Sequence, residues 1–334
     1  MHISIRTVMG VIVIALLAGA ATGRDEDKKP ELGANASLHG KRIFPKDDPW
    51  NRDISKEAVD PDSAALLASI GLNKGLHADF GTVWNGAPSG IPYVIVGKDQ
   101  PKVKITFTDY VDESDAGPYP VPLDAPIEGG AKSDGDRHVL VIDRDHWMVY
   151  ELYRAFLGED GKSWKAGSAA VFDLTRRTTR PAGWTSADAA GLPIFPGLVR
   201  YDEAVEQKEI AHALRFTGQH SRRAYVAPAR HFASRSNDSK LPPMGMRVRL
   251  KADYDVSKFP AEDKVILTAL KKYGMILADN GSDWFLSGAP DPRWNDDNLH
   301  ALSAVKGKDW DVVKMDKIVT KKSMALPNHR ANAN

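Results

Sequence analysis

The sequence predicts a mainly β fold: an antiparallel β-sandwich or two packed sheets with about three short helices. Three observations lead there. Short β-branched or aromatic segments alternate at period two between Gly, Pro, Asn and Asp clusters. Only three segments carry helix signals. Strands and helices do not alternate, and no fixed-period repeat occurs, so Rossmann and barrel folds are disfavoured.

The strand segments are Ile91 to Val96, Val103 to Phe107, His138 to Ile142, Trp147 to Tyr153, Ala169 to Leu174, Ile210 to Thr217, Ala224 to Ala227, Met244 to Ala252, Met275 to Ala278 and Trp284 to Ser287. In Met244 to Ala252 the residues Met244, Met246, Val248, Leu250 and Ala252 point to a core. Arg247, Arg249, Lys251 and then Asp253 point away, as a solvated face or a grip on an acidic polymer. The first helix follows Asp60-Pro61-Asp62 and ends at Gly71, the second runs from Pro260 to Tyr273 before Gly274, and the third starts at Asn295.

The organisation along the chain follows from composition. Residues 1–20 carry Arg6, an apolar run from Val8 and Ala18-Gly19-Ala20, the order of a bacterial-type secretory signal peptide. The apolar run is shorter than the roughly 20 residues a membrane span needs. Residues 21–40 read as a disordered leader, 41–316 as one β-rich globular domain and 317–334 as a disordered tail. A secreted or periplasmic location is therefore expected.

Without Arg6 the Lys and Arg equal the 44 Asp and Glu, so no global field attracts nucleic acid or an anionic membrane. With no cysteine, a disulfide framework is excluded and core burial alone must hold the domain.

Candidate chemistry centres on Asp136 to Tyr153, read as a hairpin turning at Arg144-Asp145. A two-residue loop sets His138 opposite Glu151, Leu140 opposite Val149 and Ile142 opposite Trp147. Glu151 is then a buried acid/base oriented by His138; a structural pair is the alternative, and a three-residue loop would break the pairing. Glu203, ending the proline-pinned segment from Leu192, is the second candidate carboxylate. His231 and Arg230 lie at a strand end, where sites collect, and are expected to hold substrate. His212 shares the core alternate with Ile210, Leu214 and Phe216 and reads as a satisfied core histidine.

Two histidines and a glutamate suit a metal, yet no His-x-His or HExxH spacing supports one, so neither metal nor cofactor is expected. The acidic run from Asp291 lacks EF-hand spacing and reads as a helix N-terminus. Gly183-Trp184-Thr185-Ser186 lacks a nucleophile elbow, and Asp279-Asn280-Gly281 reads as a turn. Of the tryptophans beside turns, Trp84, Trp164, Trp184, Trp284 and Trp294, most belong to the core; Trp184 and Trp147 are the rings assigned to substrate.

The functional expectation is a secreted carbohydrate-active enzyme, hydrolase or lyase, acting on an extracellular polysaccharide by carboxylate/histidine acid-base catalysis. Its alternatives are a non-catalytic glycan- or cell-surface-binding module, which needs an aromatic face but no perturbed acid, and an envelope structural protein, which needs no pocket.

Overall fold

The computed structural model describes residues 28–324, so the expected signal peptide and part of the expected leader lie outside the described residues. Within them the chain is mostly β, with several sheets and few short helices. The three expected helices form where their signals stand. Ser63–Ile70 stops at Gly71, whose φ of 122° suits glycine and whose N–H bonds Leu67 O. Ala261–Lys272 carries Glu262 and Asp263 in its first turn and Lys271 and Lys272 in its last, complementing the helix dipole. Asp296–Ala301 is capped by the Asn295 side chain, which accepts from Asn298 N–H at 3.1 Å.

Each of the expected strand segments contains a strand. A five-stranded sheet runs in the order Gly33–Ala34, Tyr93–Val96, Val139–Asp143, Met148–Tyr153, Ser168–Asp173. A six-stranded sheet runs Trp310–Val312, Arg247–Leu250, Met275–Asn280, Leu214–Gly218, Phe285–Ser287, His77–Asp79. A small sheet joins Ile105–Phe107, Trp164–Ala166 and Phe156–Leu157, and Val83–Trp84 pairs with Ala87–Pro88 as a two-stranded flap.

The expected antiparallel pairing is corrected to mixed sheets. Tyr93–Val96 lies parallel to Val139–Asp143, Leu214–Gly218 parallel to Met275–Asn280, and Phe285–Ser287 parallel to His77–Asp79. Period-two patterning reports which residues share a face; the direction of a neighbour depends on the connection. The segment between Val96 and Val139 is long enough for the crossover a parallel pair requires.

The five-stranded sheet is buried on both faces, which explains the unbroken apolar run Val139–Ile142. Tyr93, Leu140, Ile142, Val149 and Phe172 enter a core that also contains Leu214, Phe216, Met275 and Leu277 of the six-stranded sheet. Val139, Val141, Leu152 and Ala169 enter a second core with Ile105, Tyr119 and Trp164.

Two boundaries move. Gly33–Ala34 is an edge strand and Leu38 is fully buried, so the fold begins inside the expected leader. Val319–Thr320 pairs with Ala224–Tyr225 and a short helix follows at Lys321–Met324, so it also extends past residue 316. Two-residue strands are too short to show a period. Among the described residues no helix is long and apolar enough to cross a membrane.

Val248 and Leu250 are buried as expected, but the opposite face of that strand is not a free cationic stripe. Arg247 donates to the carbonyls of Pro49 and Tyr273, and Arg249 to those of Ile54 and Glu57. These guanidiniums satisfy backbone carbonyls of the flanking chain.

Candidate functional site

The hairpin that was to unite His138 and Glu151 turns through four residues, Arg144 to Trp147, because Asp143 pairs with Met148. Asp143 stabilises that wider turn by accepting from the N–H groups of Asp145 and His146, both at 3.0 Å. Every partner shifts by two, so Glu151 lies opposite Leu140 and the expected pair is not formed. Glu151 is 0% exposed and accepts from the backbone N–H groups of Ile194 and Phe195 at 2.9–3.0 Å. It caps the Phe195–Gly197 turn. Burial pushes its carboxyl up to about 7 against the pull of those bonds.

His138 has a different carboxylate partner. Its Nδ1 lies 2.6 Å from Glu128 Oε2 and its Nε2 lies 3.1 Å from Ala187 O. Both ring nitrogens face acceptors, so both carry protons and the ring is an imidazolium. Burial opposes that charge, but the charge and bond of Glu128 outweigh it and hold His138 up at about 9. Burial raises Glu128 too, yet the charge and hydrogen bonds of His138 win and leave it below the ordinary carboxyl range. The pairing is local: Glu128 N–H donates to His138 O and His138 N–H to Glu128 Oε2, closing the loop between them.

The six-stranded sheet supplies the other half. Arg215, fully buried in Leu214–Gly218, grips Asp188 with Nε and Nη2 at 2.8 and 3.0 Å and donates to Ser287 Oγ at 2.5 Å. Ser287 is the register partner of Asp79, so those side chains share a face. Asp279 reaches that guanidinium, with Oδ2 at 3.5 Å from Nη2, through a β-bulge. Leu277 pairs with Phe216, but Asp279 rather than Ala278 pairs with Thr217. The extra residue turns Asp279 onto the face shared by Arg215 and Thr217, and the carbonyl of Ala278 accepts from Ala190 N–H in the loop carrying Asp188.

Burial, then the charge of Asp188, pushes Asp279 up to about 7, while Arg215 and His138 pull it down. Asp79 stands open to water at its strand end, yet protein surrounds it and raises its carboxyl above the ordinary range. His77 opposes that shift and Glu128 adds to it.

Asp79 and Glu128 line a cleft of about 630 Å³, within the size range of small-molecule sites. Trp84, 78% exposed at the tip of the flap, and Phe285 supply its aromatic surface. The flap is held at its base by Asp296, which accepts from the backbone and hydroxyl of Thr82. The arrangement offers a carboxylate paired with a histidine, a second carboxyl raised above its ordinary range and a flat ring around one space.

The other expected site residues lie elsewhere. Glu203 bonds Arg200 at 2.5 Å and His212 at 3.0 Å in a buried network with Asp202, and does not line the cleft. His212 is satisfied, its Nδ1 meeting Ala213 O. His231 Nδ1 bonds Ala189 O at 2.7 Å, and the backbone N–H groups of Arg230 and His231 both reach Ala190 O, so this pair props the Asp188 loop. Arg230 Nε donates to Arg180 O. Trp184 is partly buried beneath Arg180. Trp147 is buried at the far end of Val139–Asp143, roughly 16 Å from His138 at about 3.3 Å per strand residue.

Sequence reasoning missed Asp79, Glu128, Asp188, Arg215 and Asp279. Asp279 read as a turn residue, whereas it belongs to the strand Met275–Asn280. The one local signal was an arginine inside the apolar strand around Leu214 and Phe216. No cluster of three His, Asp or Glu suited to a metal occurs among the described residues. Comparison of the chain with family models, curated proteins and solved structures gives no match.

Proposed function

We propose that this chain is an exported glycoside hydrolase acting on an extracellular polysaccharide, with the cleft beneath Trp84 as its active site. The observation that carries the reading is that one cleft is lined both by Glu128, paired with His138 and lowered below the ordinary carboxyl range, and by Asp79, whose carboxyl is raised above it. Glycoside hydrolysis needs these two states: a carboxylic acid to protonate the leaving oxygen, and a carboxylate to act as base or nucleophile. In this reading Asp79 is the acid and Glu128 the base. His138 positions Glu128, and Arg215 with Asp188 and Asp279 holds the floor behind them. Trp84 stacks on a sugar ring.

The lyase alternative is less well supported, because abstraction beside a uronate carboxylate calls for a nearby cation. Lys and Arg are missing from the described residues lining the cleft. The shared apolar core of the two larger sheets supports reading them as packed layers of a sandwich-like body.

The test is reducing-end release across a polysaccharide panel. Glu128→Gln and Asp79→Asn should each lower turnover by about 10²-fold or more, with far-UV circular dichroism unchanged. Full turnover in either variant would remove that residue from the chemistry. Glycan binding by a wild type that degrades nothing would favour the binding-module alternative.

A further inference from the structure

A cationic surface lies outside the cleft. From His220 to Lys240 the sequence carries five Lys and Arg against a single acid, Asp238. The fold gathers three of these arginines with two more lysines. Ala224 pairs with Thr320, which puts Lys321 at the register position beside Arg223. Arg223 N–H donates to Ser236 O at 2.6 Å and so draws Arg235 alongside. Gly183 N–H donates to Arg230 O at 2.7 Å, and Met324, ending the helical turn that carries Lys321 and Lys322, lies against Gly183. Arg235, Lys321 and Lys322 are exposed, and Arg223 and Arg230 are half-buried. None of these residues lines the cleft.

Two features set this surface apart. Exposed arginines elsewhere, Arg52, Arg154 and Arg176, each face a carboxylate, whereas none of these five cations forms an ion pair among the described residues. Asp62, Asp60 and Asp238 offset the charge of Arg222, which is not one of the five. The guanidinium of Arg223 is also held in place, 5.8 Å from the centroid of Phe232, whose ring stacks with those of His231 and Tyr225. A cation fixed before binding loses little freedom when it meets an anion.

We infer that this surface binds an acidic polysaccharide, as an anchoring site separate from the cleft. The inference takes its class of polymer from the glycan reading above. Five cations without carboxylate partners call for a row of anions spaced along a chain. The rings stack on one another rather than standing clear as Trp84 does, so they offer no open platform to nucleic-acid bases. The large apolar side chains exposed on the described residues, Trp84 and Phe156 among them, lie outside this surface, so it has no wedge for a bilayer. Since no Lys or Arg is among the described residues lining the cleft, the surface gives acidic units of a polymer a hold that the cleft does not.

The experiment is calorimetric binding of four probes to the full chain at low salt: an oligogalacturonate, its fully methyl-esterified form, a duplex DNA and phosphatidylglycerol vesicles. The oligogalacturonate should bind at least about tenfold more tightly than its uncharged ester, and the difference should shrink as salt screens the charges. Replacing three exposed side chains together, Arg235→Gln, Lys321→Gln and Lys322→Gln, should weaken oligogalacturonate binding by about tenfold or more with far-UV circular dichroism unchanged. Trp84→Ala in the cleft should leave that binding in place. Equal binding of acid and ester, unchanged binding in the triple variant, loss of binding in Trp84→Ala, or tighter binding of the DNA or the vesicles overturns the inference. Turnover on the polysaccharide panel is read separately: activity without oligogalacturonate binding overturns only the anchoring surface, whereas binding at the surface with no turnover overturns only the assignment of the cleft.

Discussion

Replacing Arg215 by methionine tests whether the buried network behind the cleft is a single electrostatic unit. Methionine fills most of the arginine stem but removes two charge-assisted bonds to Asp188, at 2.8 and 3.0 Å, and one to Ser287. Asp188 has 0% side-chain exposure, and its remaining donor is its neighbour, the Ala189 N–H at 3.1 Å. Breaking one side of a buried ion pair leaves an uncompensated charge and costs about 3–5 kcal/mol. Asp279 loses the guanidinium that holds it down while Asp188 still pushes it up, so its carboxyl should rise further from about 7. Adding Asp188→Asn removes the stranded charge and keeps an acceptor for Ala189 N–H. The double variant should therefore be less destabilised than the sum of the two single variants, with a coupling of at least about 2 kcal/mol. Urea unfolding of the four proteins measures this. A loss below about 1 kcal/mol for Arg215→Met, or strict additivity, would refute the network.

Three further outcomes follow from individual contacts. Glu151→Gln places an amide against backbone N–H groups that now meet oxygen, so it should cost about 1–3 kcal/mol of stability in thermal unfolding while turnover per folded molecule stays near wild type; a large loss of turnover at unchanged stability would return Glu151 to the chemistry. Asp263 is fully buried, neither of its oxygens meets a donor among the described residues, and burial with the charge of Glu262 raises it to about 7. Its folded value exceeds the unfolded value of about 3.9, so its cost is absent at low pH, grows through that window and is complete above about pH 7. Asp263→Asn should thus stabilise the protein by roughly 2–4 kcal/mol above that pH and by almost nothing near about pH 4, as read from urea midpoints; a gain independent of pH would contradict the assignment. Val248→Asp buries an unpaired carboxylate at a 0% exposed position and should unfold or severely destabilise the chain, whereas Arg249→Asp loses two bonds to carbonyls at the protein edge and should cost no more than about 2 kcal/mol; equal melting temperatures would contradict the register.

The sequence by itself determined where the chain extends and where it coils. Gly71 and Asn295 mark helix ends through conformational and hydrogen-bonding preferences that act within a few residues. The alternation around Val248 carries its own core face for the same local reason. Tertiary structure alone decided which side chains meet. The turn after Asp143 adds two residues to the loop, and that moves Glu151 from opposite His138 to opposite Leu140. One bulged residue, Ala278, turns Asp279 toward Arg215, and a parallel neighbour brings Asp79 beside Ser287. Loop length, bulge and strand neighbour are set by packing between segments far apart in the chain, and each decides a side chain's face at no visible change in local pattern. The candidate site is assembled from the Asp79, Glu128, His138, Asp188, Arg215 and Asp279 segments, so it became legible only when those segments were brought together.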